Sequence, residues 1–149
     1  MGRKRSAITT LGAILLGGAL LLAPVSGQAR PSSQSIQLMN LHNHERTTRG
    51  IPALRYSSSL SVAAYRHSQL MQSRGRIFHS SDAQLLNLLG TLHEIGENVG
   101  VGPTIVGLHQ AFMLSPLHRA NILDRAYRYV GVGVVLSRGS YWVTVLFKG

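Results

Sequence analysis

The chain opens on an almost uncharged apolar run, Ile8 to Val25, turns to helical spacing through its middle, and ends on strands dense in valine and aromatics. From Ile36 to Thr48, Ile36, Met39 and Asn43 fall on one helical face with Leu38 and Leu41 alongside, and Gly50 and Pro52 stop the helix. Ser57 to Ser59 offer N-caps for a second helix, whose stripe is Leu60, Ala63, Ala64, His67, Leu70 and Met71 and whose end is Gly75. Ser80-Ser81-Asp82 reads as a turn or cap before a short helical segment, Leu85 to Leu89, and Gly96 to Gly102 reads as irregular or briefly extended. Thr104 caps a helix running to Leu114. Ser115 followed by Pro116 then restarts the chain as a short helix over His118 to Leu123. Tyr129 to Leu136 and Tyr141 to Phe147 form a hairpin joined by Ser137 to Ser140, and their near-continuous apolar character requires burial on both faces. Helices first and a hairpin last imply an α+β fold layered helix–sheet–helix.

The apolar opening run changes what counts as the folded domain. Gly2-Arg3-Lys4-Arg5 is basic, the run from Ile8 follows, and Pro24, Ser26, Gly27 and Ala29 end it in small residues. That order is the pattern of a secretory signal peptide over residues 1–29, followed by a short linker over 30–35 and one domain over 36–149. The competing reading is an uncleaved membrane anchor, since the run is near the lower limit for a span. Export places the protein outside the cytoplasm, secreted or periplasmic. With no cysteine in the chain there is neither a disulfide framework nor a lipidated cysteine, and the core must come from ordinary packing.

Fifteen Lys and Arg face five carboxylates. Setting aside Arg3, Lys4 and Arg5 leaves twelve against five, a net charge of +7 for residues 30–149, carried by Arg at every position but Lys148. For an exported chain this points away from nucleic acid and toward anionic wall polymers, lipopolysaccharide or anionic lipid headgroups, with solubility as the plainer reading. A monomer is expected.

Thiol catalysis and thiolate metal sites are excluded. No HExxH, Walker loop or GxSxG is present, so no motif-borne enzyme is supported. Three polar residues stand in suggestive surroundings: His79 before a Ser-Ser turn, Glu97 between glycines, and His118 in the segment opened by Ser115. A carboxylate between two imidazoles can fix their tautomers, or all three can hold zinc or another divalent cation with one coordination position open.

Leu41-His42-Asn43-His44-Glu45-Arg46 with Gly50-Ile51-Pro52-Ala53-Leu54, then Gly96-Glu97-Asn98-Val99, then Ser115 to Leu123 and Val130-Gly131-Val132-Gly133, occur in one order over Ile36 to Lys148. Together they resemble the CAP superfamily (cysteine-rich secretory, antigen 5 and pathogenesis-related-1 proteins) in its cysteine-free bacterial form. The resemblance implies an α-β-α sandwich with a small antiparallel sheet and a shallow cavity lined by two His and two Glu. Carried onto this chain, these are His79, His118 and Glu97, with Asn98 and Ser115 in the same cavity. The second Glu has no counterpart and falls near Ser115, and an aromatic that is usually Trp is Phe112. The family has no common reaction. Its implied roles are sterol or lipid binding, peptide or receptor interaction, and occasional proteolysis. A secreted binding module is therefore the leading expectation, a metal-assisted hydrolase the second, and a basic envelope-associated structural protein the third.

Each candidate has a plainer reading. His79, Glu97 and His118 could form a buried network that ties loops together without doing chemistry. His67 reads as a satisfied core histidine, and His42 and Asn43 as bonded to backbone. His93 and Glu94 read as solvated loop that could reach the cavity rim. His44 and His109 carry no motif and no role, the Gly100–Pro103 run is a turn, and Tyr141 and Trp142 pack in a strand.

Overall fold

The computed structural model describes residues 31–90 and 94–149; residues 1–29, expected as a signal peptide, and His93 lie outside the described residues. Helix α1 (Ser33–Thr47) starts where the Ser32 hydroxyl accepts the Ser35 backbone N–H at 3.1 Å. Ser33 to Ser35, expected as linker, are thus the first helical turn, because a serine offers a cap where a spacer was expected. The inner face of α1 is Ser35, Leu38, His42 and Arg46, while Ile36 is 40% exposed. The apolar stripe points to the wrong side of this helix, because three of its four buried positions are polar.

Arg46 is fully buried and explains how the chain leaves α1. Its Nε donates to the Pro52 carbonyl at 2.9 Å, Nη1 to those of Ile122 (2.9 Å) and Asp124 (2.7 Å), and Nη2 to that of Tyr127 at 3.0 Å. One planar guanidinium satisfies four carbonyls, one from the last turn of the helix ending at Leu123 and three from loops, that burial would leave without water. Asn43 holds the same loop from the side, donating to the Leu54 carbonyl at 3.1 Å and accepting the Leu54 N–H at 2.8 Å. The chain then enters the short strand β1 (Arg55–Tyr56).

Helix α2 (Ser58–Arg74) is capped by Ser57 and ends at Gly75 in the left-handed region, φ 63°. Helix α3 (Asp82–Leu89) begins with a capping box between Ser81 and Gln84. Strand β2 (Ile95–Gly102) follows; the stretch expected to be irregular is a full strand. Helices α4 (Ile105–Leu114) and α5 (Pro116–Leu123) meet at Ser115, and β3 (Tyr129–Ser137) and β4 (Ser140–Lys148) complete the chain. The β3–β4 turn has two residues, Arg138 and Gly139, both at positive φ, as a tight twisted hairpin demands. Among the described residues no helix is long and apolar enough to cross a membrane.

The strands form one sheet in the order β1-β3-β4-β2. It is antiparallel except for β1, which runs parallel to β3. The hairpin lies at the centre with a helical layer on each face, which accounts for its continuous apolar character. Helices α2 and α3 cover one face and α1, α4 and α5 the other. The larger core cluster lies on the α1–α4–α5 side and includes Leu38, Phe112, Ile122, Val130, Val145 and Phe147. On the other side α2 comes so close to β3 that backbone meets backbone. A Cβ at Gly131 would stand 2.3 Å from the Leu60 carbonyl carbon, and one at Gly133 would stand 2.2 Å from that of Ala64. Ser68 fixes this approach by donating to the Gly133 carbonyl at 3.1 Å.

Candidate functional site

Glu97 and Asn98 are neighbours on the edge strand β2, so their side chains leave opposite faces of the sheet. Glu97 reaches the segment between α2 and α3. Its Oε1 accepts the Ser80 backbone N–H at 2.8 Å and His79 Nδ1 at 2.9 Å, and its Oε2 accepts the Ser80 hydroxyl at 2.6 Å. The carboxylate side chain is 2% exposed and the His79 side chain 60%. A buried acceptor therefore holds an outward-facing imidazole, with the proton on Nδ1 and the Nε2 lone pair turned away from Glu97.

The segment bearing His79 is pinned one residue earlier. His67 Nε2 donates to the Phe78 carbonyl at 2.7 Å, and the Phe78 ring carries the guanidiniums of Arg74 and Arg76, each 5.1 Å from its centroid. His67 is thus the satisfied core histidine its place on α2 had implied.

Asn98 serves the opposite side. Its Nδ2 donates to the His118 carbonyl at 3.0 Å, and its Oδ1 accepts Asn121 Nδ2 at 2.9 Å, an amide that also reaches the Glu97 carbonyl at 3.2 Å. The first turn of α5 is thereby fastened to β2. Gly96 makes room for this contact, since a Cβ there would stand 2.5 Å from the Tyr127 hydroxyl and 2.9 Å from Asn121 Oδ1. The half-exposed His118 ring lies 5.1 Å from Phe112, the aromatic in the position where Trp was expected. Burial lowers its pKa, and the nearby His79 lowers it further. Ser115 is half-buried one turn before His118, makes no side-chain cap, and contributes backbone bonds to Ala111 and Arg119. Glu94 is exposed and pairs by backbone with Gly149, away from the two histidines' hydrogen bonds.

Five residues from three parts of the chain are therefore brought to one sheet edge. As a metal site they fit poorly. Both Glu97 oxygens are occupied by Ser80 and His79, which leaves two imidazoles, and among the described residues no group of three His, Asp or Glu converges to hold a metal ion. Chemically the edge offers an imidazole acceptor and a second imidazole of lowered basicity, backed by the buried Phe112 ring.

A second polar group lies in the core, between the opening motif on α1 and His109 on α4, which carries no motif. His42 is fully buried, and its Nδ1 lies 3.1 Å from Nδ1 of His109. His109 Nε2 stands 3.6 Å from the Glu45 carboxylate. That carboxylate favours a proton on His109 Nε2, which makes His109 Nδ1 the acceptor and His42 Nδ1 the donor. His42 Nε2 is then left without a hydrogen-bond partner. The ring is stacked on Phe147, centroids 6.1 Å apart, with Phe112 edge-on at 6.2 Å. Burial, reinforced by His109, pulls the His42 pKa down to about 3, and burial lowers that of His109 as well. Expected to bond backbone, His42 instead bonds a histidine on α4 that had been given no role. Only the packing of α1 on α4 makes the pair, so spacing along the chain held no sign of it.

The Cysteine-rich secretory protein family (CAP) pattern matches residues 39–147. The chain is similar to YkwD of Bacillus subtilis (strain 168), 33% identical over 122 residues, covering 75% of this chain and 47% of the relative. In structure it is similar to an extracellular protein containing an SCP domain from Bacillus anthracis, with TM-score 0.65 and 24% identity, covering 77% of this chain and 40% of that one. It is also similar to an outer surface protein of Borrelia burgdorferi, with TM-score 0.72 and 14% identity, covering 80% and 94%. The chain thus spans about half the length of YkwD and less of the Bacillus anthracis protein. With the motifs in order, the hairpin at the centre of the sheet and the family pattern running from α1 to β4, the chain belongs to the CAP family in its cysteine-free bacterial form.

Proposed function

We propose that the protein is an exported binding module whose ligand sits at the β2 edge, against the outward imidazole of His79 and the half-buried imidazole of His118. The observation that carries this reading is the Glu97–His79 contact: a nearly sealed carboxylate fixes a largely exposed histidine in one tautomer. A purely structural network would bury its imidazole rather than present it to solvent. The outward His79 and the half-buried His118 suit a ligand with a hydrogen-bond donor, such as the hydroxyl of a lipid or sterol-like molecule or a peptide N–H. Export is supported by the basic and apolar N-terminal pattern and by similarity to an extracellular protein and an outer surface protein.

A metal-assisted hydrolase is the weaker reading. It needs Glu97 as ligand or base, and Glu97 is committed to Ser80 and His79. The test is a screen of small lipids, sterols and short peptides against protein labelled at the histidine rings. Saturable shifts at His79 and His118, lost in His118→Ala, support a binding site. Peptide or ester turnover that is abolished by His118→Ala and by a chelator would replace this reading with the hydrolase.

A further inference from the structure

At the opposite edge of the sheet, beside β1, the chain builds a second concavity of about 410 Å³ whose walls include Pro52, Arg55, Arg125, Tyr127, Arg128 and Tyr129. Three of these six are arginines and none is acidic. Backbone pairing fixes two of them side by side, for the Arg55 N–H donates to the Arg128 carbonyl at 2.8 Å and the Arg128 N–H to the Lys148 carbonyl at 2.9 Å. Arg125 Nη1 reaches across to the Gly50 carbonyl at 3.3 Å. Directly behind the wall lies a fourth guanidinium, that of Arg46, bonded to the carbonyls of the wall residues Pro52 and Tyr127.

Little answers this charge. The nearby Asp124 turns its carboxylate to the Ala126 N–H at 2.9 Å, and none of the ion pairs among the described residues involves Arg55, Arg125 or Arg128. Like charges held together by strands repel one another unless an anion joins them. Guanidinium forks suit the tetrahedral oxygens of a phosphate, which several can engage in parallel. Tyr129, whose ring lies 5.7 Å from the Arg55 guanidinium, adds a flat apolar wall for whatever carries the phosphate.

We infer that this pocket, separate from the His79–His118 site, binds a phosphate ester group of an anionic envelope component. Two sources carry that chemistry, a phosphodiester polymer and a phospholipid headgroup. Binding of the full chain is measured to soluble poly(glycerol phosphate), to vesicles of phosphatidylcholine with one-third phosphatidylglycerol, to pure phosphatidylcholine vesicles, and to polyglutamate as a carboxylate control. Arg55→Gln/Arg128→Gln is expected to lose at least tenfold in affinity, while the charge-matched Arg66→Gln/Arg119→Gln loses less than twofold; all four side chains are exposed, so both variants keep the fold. Binding to the polymer alone assigns a wall polymer, and binding to phosphatidylglycerol vesicles alone assigns a headgroup. No binding to either, equal losses in the two double variants, or equal binding to polyglutamate overturns the inference.

Discussion

The Nδ1 atoms of His42 and His109 lie 3.1 Å apart in the core, joining α1 to α4 through two neutral imidazoles. Neutrality is a condition of the contact, because a proton added to His42 has no partner at Nε2. With the pKa of His42 at about 3 in the folded protein and near 6.5 once unfolded, the unfolded chain binds more protons between those values. Stability is therefore full above pH 6.5 and falls as pH drops toward 3, with a limiting slope of about 1.4 kcal/mol per pH unit from this group. His109 and His118, both lowered, act in the same direction. Urea denaturation from pH 7.5 to 4 checks this, and His42→Phe should flatten the profile. An unchanged slope in that variant would mean another group governs acid stability.

Arg46→Ala should cost about 3–5 kcal/mol, since it leaves four buried or half-buried carbonyls without donors. Arg46→Lys should recover little, because an ammonium lacks the fork that reaches both sides of the loop. Chemical denaturation of the two variants decides it; recovery by lysine would show that charge rather than shape is what matters.

Gly133→Ala and Gly131→Ala place a methyl inside the α2 backbone and should each destabilise by about 2 kcal/mol or more. Gly139→Ala, with open space around it at φ 76°, should cost only about 1 kcal/mol from backbone strain. Thermal melts of the three variants rank them, and equal losses would contradict the close approach of α2 to β3.

Glu97→Gln should release His79. The wild-type imidazole is held as the Nδ1–H tautomer, and ring-nitrogen chemical shifts should report that form alone. In the variant the shifts should move to a mixture of tautomers, with a stability loss of about 1–2 kcal/mol from the weakened Ser80 contacts. A mixed tautomer already present in the wild type would remove the basis for an oriented ligand site.

Much of the architecture was legible in the sequence. The hairpin, the caps at Ser57, Thr104 and Ser81 and the break at Ser115 stand where residue chemistry put them. What stayed hidden has a common physical cause. On α1 the apolar stripe equates apolar with buried, yet His42 and Arg46 are fully inside and Ile36 is 40% exposed, because the partners of the two polar residues come from α4 and from segments distant in the chain. In β2, Gly96, Gly100 and Gly102 suggested irregular backbone. They are strand residues kept small because Tyr127, Phe112 and Leu108 press on that face. The pairing of His79 with Glu97 followed from the family motifs. The Ser80 bonds and the exposure of His79 did not, since both depend on how the α2–α3 segment turns back onto the strand.

The guanidinium of Arg46 has a temporal consequence. Its carbonyl partners at Ile122 and Tyr127 lie 76 and 81 residues further along the chain, and β1 finds its strand partner only in β3. The first helix therefore has no stable resting place until nearly the last segment has been made. Contacts of such range slow folding and leave a growing chain without a half-built native core. In a polypeptide of this design the seat of α1 and the middle of the sheet are completed together, late along the chain.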